Sequence, residues 1–503
     1  MEQAVADDVF DGEKASSSSS SPSPPSLFTT TKRPRHDTTS VTEVVDQDFP
    51  HRHPVTWAPP PAKAPSFRPT GLVVMRNKNR VEEALCDGQL VTRLFQLKQR
   101  LREQPQHLFK QARRASNPYE RIGCSVFQNR AAVKLANLDH LYGLLETPKV
   151  EKEKEKEEQK QKEKFYFGDV CGGPGGFAEY ILWRKKRQQR EREGEGEGRR
   201  EHGSGGSKEE EEGEAVGWGF TLKTDDSDCE WHLDKFHPDA DIRCFTVNYG
   251  ADGTGNIYSN ENIREFWQVI ALGTNERGVD LVTADGGFCF EGFEASQEQE
   301  MKQLLLCEVL MMFNILRQGG NFVCKLFDVF TTFTAELLYI LYQHFEQFSL
   351  IKPFASRPAN SERYIVCKGL KQFRPMPVMN YLFSVNERFK HVKSKQTQPS
   401  TTKSSEIAPE EEEAFHILPF EQLPSEFVAY VKGSNESIAE RQIEALERLI
   451  KYCEDPYFPE IDQLDVKERC LREWDIPDEQ CSLHFFLRDV IARQRKRIKK
   501  TWS

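Results

Sequence analysis

Among the 12 cysteines of this 503-residue chain there is no C-x-x-C pair, and no cysteine or histidine spacing suited to zinc. A thioredoxin-like redox centre and a structural zinc site therefore have no support, and no metal is expected. No stretch of 18 or more apolar residues occurs, and the N-terminus lacks the apolar segment of a signal peptide, so neither a membrane partner nor secretion is expected. Cys307, Cys324 and Cys367 lie inside apolar runs, the setting of buried reduced thiols in a cytosolic or nuclear protein.

An excess of positive charge is also missing. The net charge is −10, which looks wrong for a nucleic-acid partner. That figure is an average. Acidic runs at Glu209–Glu212 and Glu410–Glu413 fall in low-complexity segments, whereas Lys98, Arg100, Arg102, Lys110, Arg113 and Arg114 gather in one stretch. A solvated helix face accounts for that stretch equally well, so charge alone decides nothing.

Much of the chain lacks the apolar content needed for a core. Residues 1–65 are rich in Ser and Pro and are expected to be a disordered tail, with Lys32-Arg33-Pro34-Arg35 as a candidate nuclear import signal. Low-complexity inserts are expected at 147–164 and 184–214, and a linker at 393–413. The remainder divides into an α/β domain over 66–370 and a small helical C-terminal extension over 371–503.

What is present alternates. Leu90, Leu94, Leu97 and Leu101 predict a helix over Gly88 to Arg102, and a second is expected from Ser125 to Leu145. Short apolar runs at Phe165–Val170, Val216–Leu222, Ile242–Val247, Val279–Ala284 and Asn321–Leu326 read as strands. Helices over 176–186, 261–272, 296–316 and 331–345 separate or follow them, with Gly319-Gly320 expected to stop the third. Strands alternating with helices imply a largely parallel sheet. Only about ten residues join the last two strands, 348–354 and 364–368, too few for a crossover helix, so that pair should be antiparallel. This is the layout of a Rossmann-like methyltransferase sheet, mostly parallel with one antiparallel strand, flanked by helices. Farther on, Ser437-Ile-Ala-Glu440 reads as a capping box opening a helix, and another is expected over 463–473. The basic end from Arg493 to Lys500 is either a nucleic-acid contact or a solvated helix end.

After the first strand comes C-G-G-P-G-G-F, Cys171 to Phe177. Glycines there let a ligand approach the backbone closely at the start of a helix. Dinucleotide and nucleotide sites share such turns. Asp169 at the strand end would repel a pyrophosphate but pair with the ammonium of an amino-acid ligand, and Pro174 interrupts the dinucleotide pattern. S-adenosyl-L-methionine therefore fits better. A tight turn without a ligand is the simpler alternative.

Four separated segments end on charged residues: Lys134, Asp285, Lys325 and Glu362. Asp285 and Lys325 fall at the carboxyl ends of parallel strands, where open α/β sheets bind ligands. Glu362 starts a strand running the other way and reaches the same edge. Lys134 lies on the apolar stripe of its helix, costly unless its ammonium finds a partner; a snorkelling stem is the bland explanation. Together the four would suit methyl transfer to a ribose hydroxyl. A free lysine, with a pKa of about 10.4, is protonated near neutrality, so Lys325 as base is expected to have its pKa lowered by burial and by Lys134. A structural salt-bridge network is the competing explanation.

The words around these residues resemble a known family. N-P-Y-E at Asn117, N-R-A-A-V-K-L-A-N-L-D at Asn129 and D-V-C-G-G-P-G-G-F-A-E-Y at Asp169 are similar to cap-specific mRNA (nucleoside-2′-O-)methyltransferases of type 1. So are A-D-G-G-F at Ala284, S-R-P-A-N-S-E-R-Y at Ser356 and S-N-E-S at Ser434. The resemblance covers about residues 110–475. It implies methylation of the first transcribed nucleotide beside an N7-methylguanosine cap, with capped mRNA and the transcription or capping machinery as partners, in the nucleus. It makes Lys325 the base and Lys134, Asp285 and Glu362 the rest of a catalytic tetrad. It assigns Asn129, Asp169, Cys171, Gly172, Gly173, Pro174, Gly175, Gly176, Phe177, Asn256, Ile257 and Asp285 to the cofactor, and Lys98, Arg113 and Asn360 to the RNA. The G-patch, guanylyltransferase-like and WW regions of animal members have no counterpart in these residues, which leaves the means of recruitment open. Modification of the second nucleotide or of rRNA, or a non-catalytic cap-binding adaptor, are the alternatives; a dehydrogenase is a distant one.

Overall fold

The structure is a computed structural model that describes residues 55–61, 74–75, 83–146, 164–192, 215–224, 229–287, 297–396, 414–455, 458–459 and 461–478. The expected import signal, all but the last residue of the Lys/Glu insert, most of the second insert, the linker beyond residue 396 and the basic C-terminal end lie outside them.

Seven strands form the central sheet: β1 (Phe165–Val170), β2 (Ala215–Phe220), β3 (Phe245–Asn248), β4 (Val279–Ala284), β5 (Leu316–Leu326), β6 (Phe345–Ile351) and β7 (Arg363–Leu370). Their order is β3-β2-β1-β4-β5-β7-β6. The first five are mutually parallel, and β7 runs antiparallel to both β5 and β6. Chain reversal between β1 and β4 opens a crevice at the carboxyl ends of these strands, the usual ligand position in such sheets.

All six residues of β4 are buried, as a parallel strand covered on both faces requires. Successive side chains divide between the faces. Val282, Ala284, Phe322, Cys324, Ile365 and Cys367 join one core with α5 (Asn260–Thr274), α6 (Gln297–Ile315), α7 (Thr332–His344) and α8 (Met376–Gln396). Leu281, Val323, Tyr364 and Val366 join the other with α3 (Arg130–Tyr142) and α4 (Gly176–Arg192). Helix α1 (Gly88–Arg102), followed by α2 (Gln106–Ala115), meets α9 (Ser425–Glu454) in a third core of Leu94, Leu97 and Leu101 against Leu446, Leu449 and Ile450. The last helix, α10 (Gln463–Glu473), adds Val466, Cys470 and Leu471 to the α3/α4 side. The C-terminal helices are thus built into the same cores as the sheet.

Several expectations change. Helix α3 is shorter than 125–145, because the Asn129 side chain caps its start and left-handed Gly143 ends it. Gly319 and Gly320 do not stop a helix: α6 has ended at Ile315, and the glycines lie within β5 where register slips, Val279 pairing with Leu316 but Leu281 with Asn321. Such an irregularity tolerates glycine. Ser437 opens no helix. Helix α9 begins at Ser425 after Pro424 and runs straight through the Ser-x-x-Glu pattern. Residues 55–61, expected in the tail, dock on the sheet edge: Ala58 N donates to Phe348 O (2.8 Å) and Trp57 packs edge-on to Tyr142. Residues 184–192, expected in an insert, extend α4, and Arg184 pairs with Asp475 at 2.6 Å.

The loop after β3 depends on Gly255, at φ +68, where an added Cβ would lie 1.7 Å from Thr221 O. Gly255→Ala is expected to destabilise the protein by more than the ~1–2 kcal/mol of a left-handed L-residue alone. Urea unfolding measures it, and a loss below that range would mean the loop relaxes freely.

Candidate active site

The turn after β1 has Cys171 at φ +52, followed by a cis Gly173-Pro174 bond. Its glycines fit against protein on their inner side. An added Cβ would lie 2.4 Å from the Asp169 carboxylate at Gly172, 2.0 Å from Cys229 O at Gly173, and 2.1 Å from Asn129 Oδ1 at Gly176. Asn129, the cap of α3, is thereby seated on the turn. Pro174 O accepts from Gln128 Nε2 (3.2 Å) and His232 N (3.1 Å).

Two of the expected cofactor residues around the turn face inward. Asp169 is fully buried: Oδ2 accepts from Ala178 N (3.2 Å) and Oδ1 from the Thr283 hydroxyl (2.8 Å). Burial pushes its carboxyl up to about 7. It braces the turn from beneath instead of presenting a carboxylate to an ammonium. Phe177 is core, its ring 6.3 Å from that of Tyr364. In the loop after β3, Asn256 is exposed and its Oδ1 accepts from Tyr258 N (3.0 Å), whereas Ile257 is buried. Lys223 N donates to Thr254 O (2.8 Å), so this loop stands at the same carboxyl edge as the glycine turn.

The four charged residues converge. Lys134 Nζ lies 2.9 Å from Glu362 Oε2, so α3 does pack across the sheet edge. Lys325 Nζ donates to Asp285 O (2.6 Å) and lies 3.4 Å from Asp285 Oδ1. All four side chains are 12–17% exposed, in a cleft that is desolvated yet open. Residues that the sequence reading did not single out complete the cluster. Tyr364 OH donates to Asp285 Oδ1 (2.8 Å), and Ser356 Oγ donates to Glu362 Oε1 (2.7 Å). Beneath them Glu308 Oε1 accepts from Gly286 N (3.1 Å). Lys352 Nζ donates to the carbonyls of Asn360 (2.6 Å) and Glu362 (2.7 Å). Ser356 and Tyr364 stand inside the S-R-P-A-N-S-E-R-Y segment and were readable as its neighbours; Glu308 and Lys352 carried no local signal.

Charge states follow from these neighbours. Burial would push the Lys325 ammonium down, but the Asp285, Glu362 and Glu308 carboxylates outweigh it and hold its pKa above the ordinary value. This corrects the expectation of a lowered pKa: Lys134 arrives paired with Glu362 and adds little net positive charge. Burial opposes ionisation of Glu362, yet Lys134 and Lys325 win and hold its carboxyl near 2. Burial dominates at Glu308, raising it to about 8. Because Glu362 has a folded-state pKa below its unfolded value of 4.5, its contribution to stability is complete above that value and lost as pH falls toward 2. The unfolding free energy is therefore expected to fall more steeply between pH 5 and pH 2 in the wild type than in Glu362→Gln. Parallel curves would assign the acid transition elsewhere.

Of the expected RNA contacts, Asn360 is exposed at the cleft. Lys98 is not an open cation: it is 8% exposed, with Nζ 2.6 Å from Ser361 Oγ and 3.4 Å from Asp328 Oδ2. Arg113 is half-buried on α2 with its guanidinium over the Phe109 ring. Among the described residues no group of His, Cys, Asp and Glu is arranged to hold a metal.

Residues 127–370, which contain all seven strands of the sheet, match the family model described as FtsJ-like methyltransferase. The particular relatives carry one name. Over 394 residues the chain is 40% identical to the Cap-specific mRNA (nucleoside-2'-O-)-methyltransferase 1 of Dictyostelium discoideum, covering 78% of this chain and 47% of the relative. Proteins of the same name from Xenopus laevis (39% over 404 residues, 79% and 42%) and Homo sapiens (36% over 416 residues, 81% and 44%) match similarly. The chain thus spans less than half the length of these relatives.

The site fits S-adenosylmethionine on its own features. Cys171–Gly176 offers a close backbone approach beside Asn129, and Asp285 supplies a partly exposed carboxylate where a cationic ligand would lie.

Proposed function

We propose that this protein methylates the ribose 2′-oxygen of the first transcribed nucleotide of N7-methylguanosine-capped mRNA, using S-adenosylmethionine. The observation that carries the reading is the pairing of Lys134 with Glu362 and of Lys325 with Asp285 in one cleft beside the glycine turn. The names of its relatives support the substrate. S-adenosylmethionine, when bound, supplies the methyl group on a positively charged sulfonium.

In this reading Cys171–Gly176, Asn129 and the Asn256 loop hold the cofactor, while Asp169 and Phe177 support the turn from behind. Asn360 and the Arg113 region face the RNA. Asp285, fixed by Tyr364, orients Lys325; Glu362, fixed by Ser356, orients Lys134. Lys325 Nζ receives the 2′-hydroxyl proton as the O2′–carbon bond forms and the sulfur–carbon bond breaks. Before that step Lys325 has to lose its own proton, which its carboxylate neighbours resist. Positive charge placed nearby opposes them. The kcat/KM for RNA, which reports the free enzyme, is accordingly expected to keep rising with pH beyond about 9. A plateau below pH 8 would remove Lys325 from the role of titrating base.

Labelled methyl transfer to N7-methylguanosine-capped against uncapped RNA, followed by digestion to locate the mark, tests the function. A mark on the second nucleotide or equal labelling of uncapped RNA would overturn it. Nuclear location and association with the transcription or capping machinery belong to the same proposal. Lys32–Arg35 motivates them, and a fluorescent fusion with and without those residues checks the location.

A further inference from the structure

The S-N-E-S segment of α9 has no part in the chemistry above, yet Asn435 is fully buried at the centre of a polar chain. Its Nδ2 donates to Leu85 O (2.8 Å) and Val329 O (2.7 Å), and its Oδ1 accepts from Arg363 Nη1 (2.9 Å). Arg363 Nη2 continues to Asp328 Oδ1 (2.6 Å), and Asp328 Oδ2 faces Lys98, which donates to Ser361 Oγ. One helical stretch along α9, Gln442 Nε2 donates to Ala359 O (2.9 Å) and lies 3.5 Å from Ser361 Oγ.

The anchored positions alternate. Ala359 is held by its carbonyl, while the side chains of Ser361 and Arg363 are held inward, both residues being under 5% exposed. Residues 358–360 form a turn, Asn360 N donating to Arg357 O (3.1 Å), and the chain enters β7 at Arg363. The residues between these anchors are exposed Asn360 and partly buried Glu362, the second meeting Lys134. Lys352 grips the carbonyls of these same two residues. The strap over 359–363 is therefore pinned at alternate residues from α1 and α9, both outside the FtsJ-like segment 127–370.

We propose that Asn435 and Gln442 of α9, acting through Lys98, Ser361 and Arg363, are positioning residues that set Asn360 and Glu362 toward the acceptor ribose. This rests on the methyl-transfer reading above. The cofactor turn shares none of these contacts, so the network governs the acceptor side and leaves cofactor binding alone. A misplacement on the order of 1 Å suffices for a large rate effect.

The test uses the full chain with Gln442→Met, which keeps size and removes the donor, and Ser361→Ala, which removes only a hydroxyl. Single-turnover transfer to capped RNA is expected to fall roughly 10-fold or more in each, with S-adenosylmethionine affinity by calorimetry within about twofold of wild type. Amide exchange across 356–362 should quicken at unchanged global stability. Unchanged transfer in both variants, or cofactor affinity falling in step with rate, overturns the proposal. A wild-type chain inactive on capped RNA would instead defeat the functional reading; the exchange measurement still decides whether α9 holds the strap.

Discussion

Lys325→Ala is expected to lower the methyl-transfer rate by roughly 10²–10⁴-fold, the usual worth of a positioned general base, while S-adenosylmethionine still binds. Lys325 contacts both the side chain and the backbone carbonyl of Asp285, at the edge where the acceptor has to lie. The informative companion is Lys325→Arg. A guanidinium preserves the charge among Asp285, Glu362 and Glu308 but cannot be deprotonated. If the ammonium works by receiving a proton, Arg is as inactive as Ala. If it works only by holding the hydroxyl, Arg recovers much of the rate. Single-turnover assays with labelled cofactor, beside calorimetric binding, separate the cases. An alanine variant within about fivefold of wild type would sink any chemical role for Lys325.

The second large effect is on stability. Asp328 is 5% exposed and faces two buried cations, Arg363 at 2.6 Å and Lys98 at 3.4 Å. Asp328→Ala leaves both uncompensated, for which a loss of about 3–5 kcal/mol is expected. Asp328→Asn, which keeps acceptor capacity and removes the charge, should fall between. Urea unfolding of the three proteins provides the comparison. A loss below about 1 kcal/mol for Asp328→Ala would mean water reaches Lys98 and Arg363 on a scale the burial does not suggest.

These sites differ in how far the sequence disclosed them. The helices at Gly88–Arg102 and Gln463–Glu473 and the strands at Phe165–Val170 and Val279–Ala284 agree with the local pattern to the residue. Their signal is apolar periodicity, which is local. Gly319-Gly320 and Ser437–Glu440 misled because glycine pairs and Ser-x-x-Glu patterns have more than one use. A register slip in the sheet decided the first, and a helix already nucleated behind Pro424 decided the second. Helix α2 was not anticipated: only Ala112 of its ten residues is buried, so its sequence carries little stripe. The resemblance assigned Lys98 to the RNA, and only packing against Asp328 and Ser361 shows it committed inward.

By itself the sequence determined the succession of strands and helices, the glycine turn at Cys171–Phe177 and the four charged residues that face one edge. Period-two and helical patterning fix which side of an element is apolar, and an acid or lysine at a strand end inherits the sheet's polarity. Tertiary structure alone decided three things. It joined Lys134 to Glu362 across 228 residues of chain. It turned Asp169 inward and left Asp285 outward. It held Lys325 protonated chiefly by placing it beside the Asp285 and Glu362 carboxylates, although burial alone would have done the reverse. The reason is common to all three: ion pairing and protonation depend on distance and desolvation in the packed state, and neither is encoded by spacing along the chain.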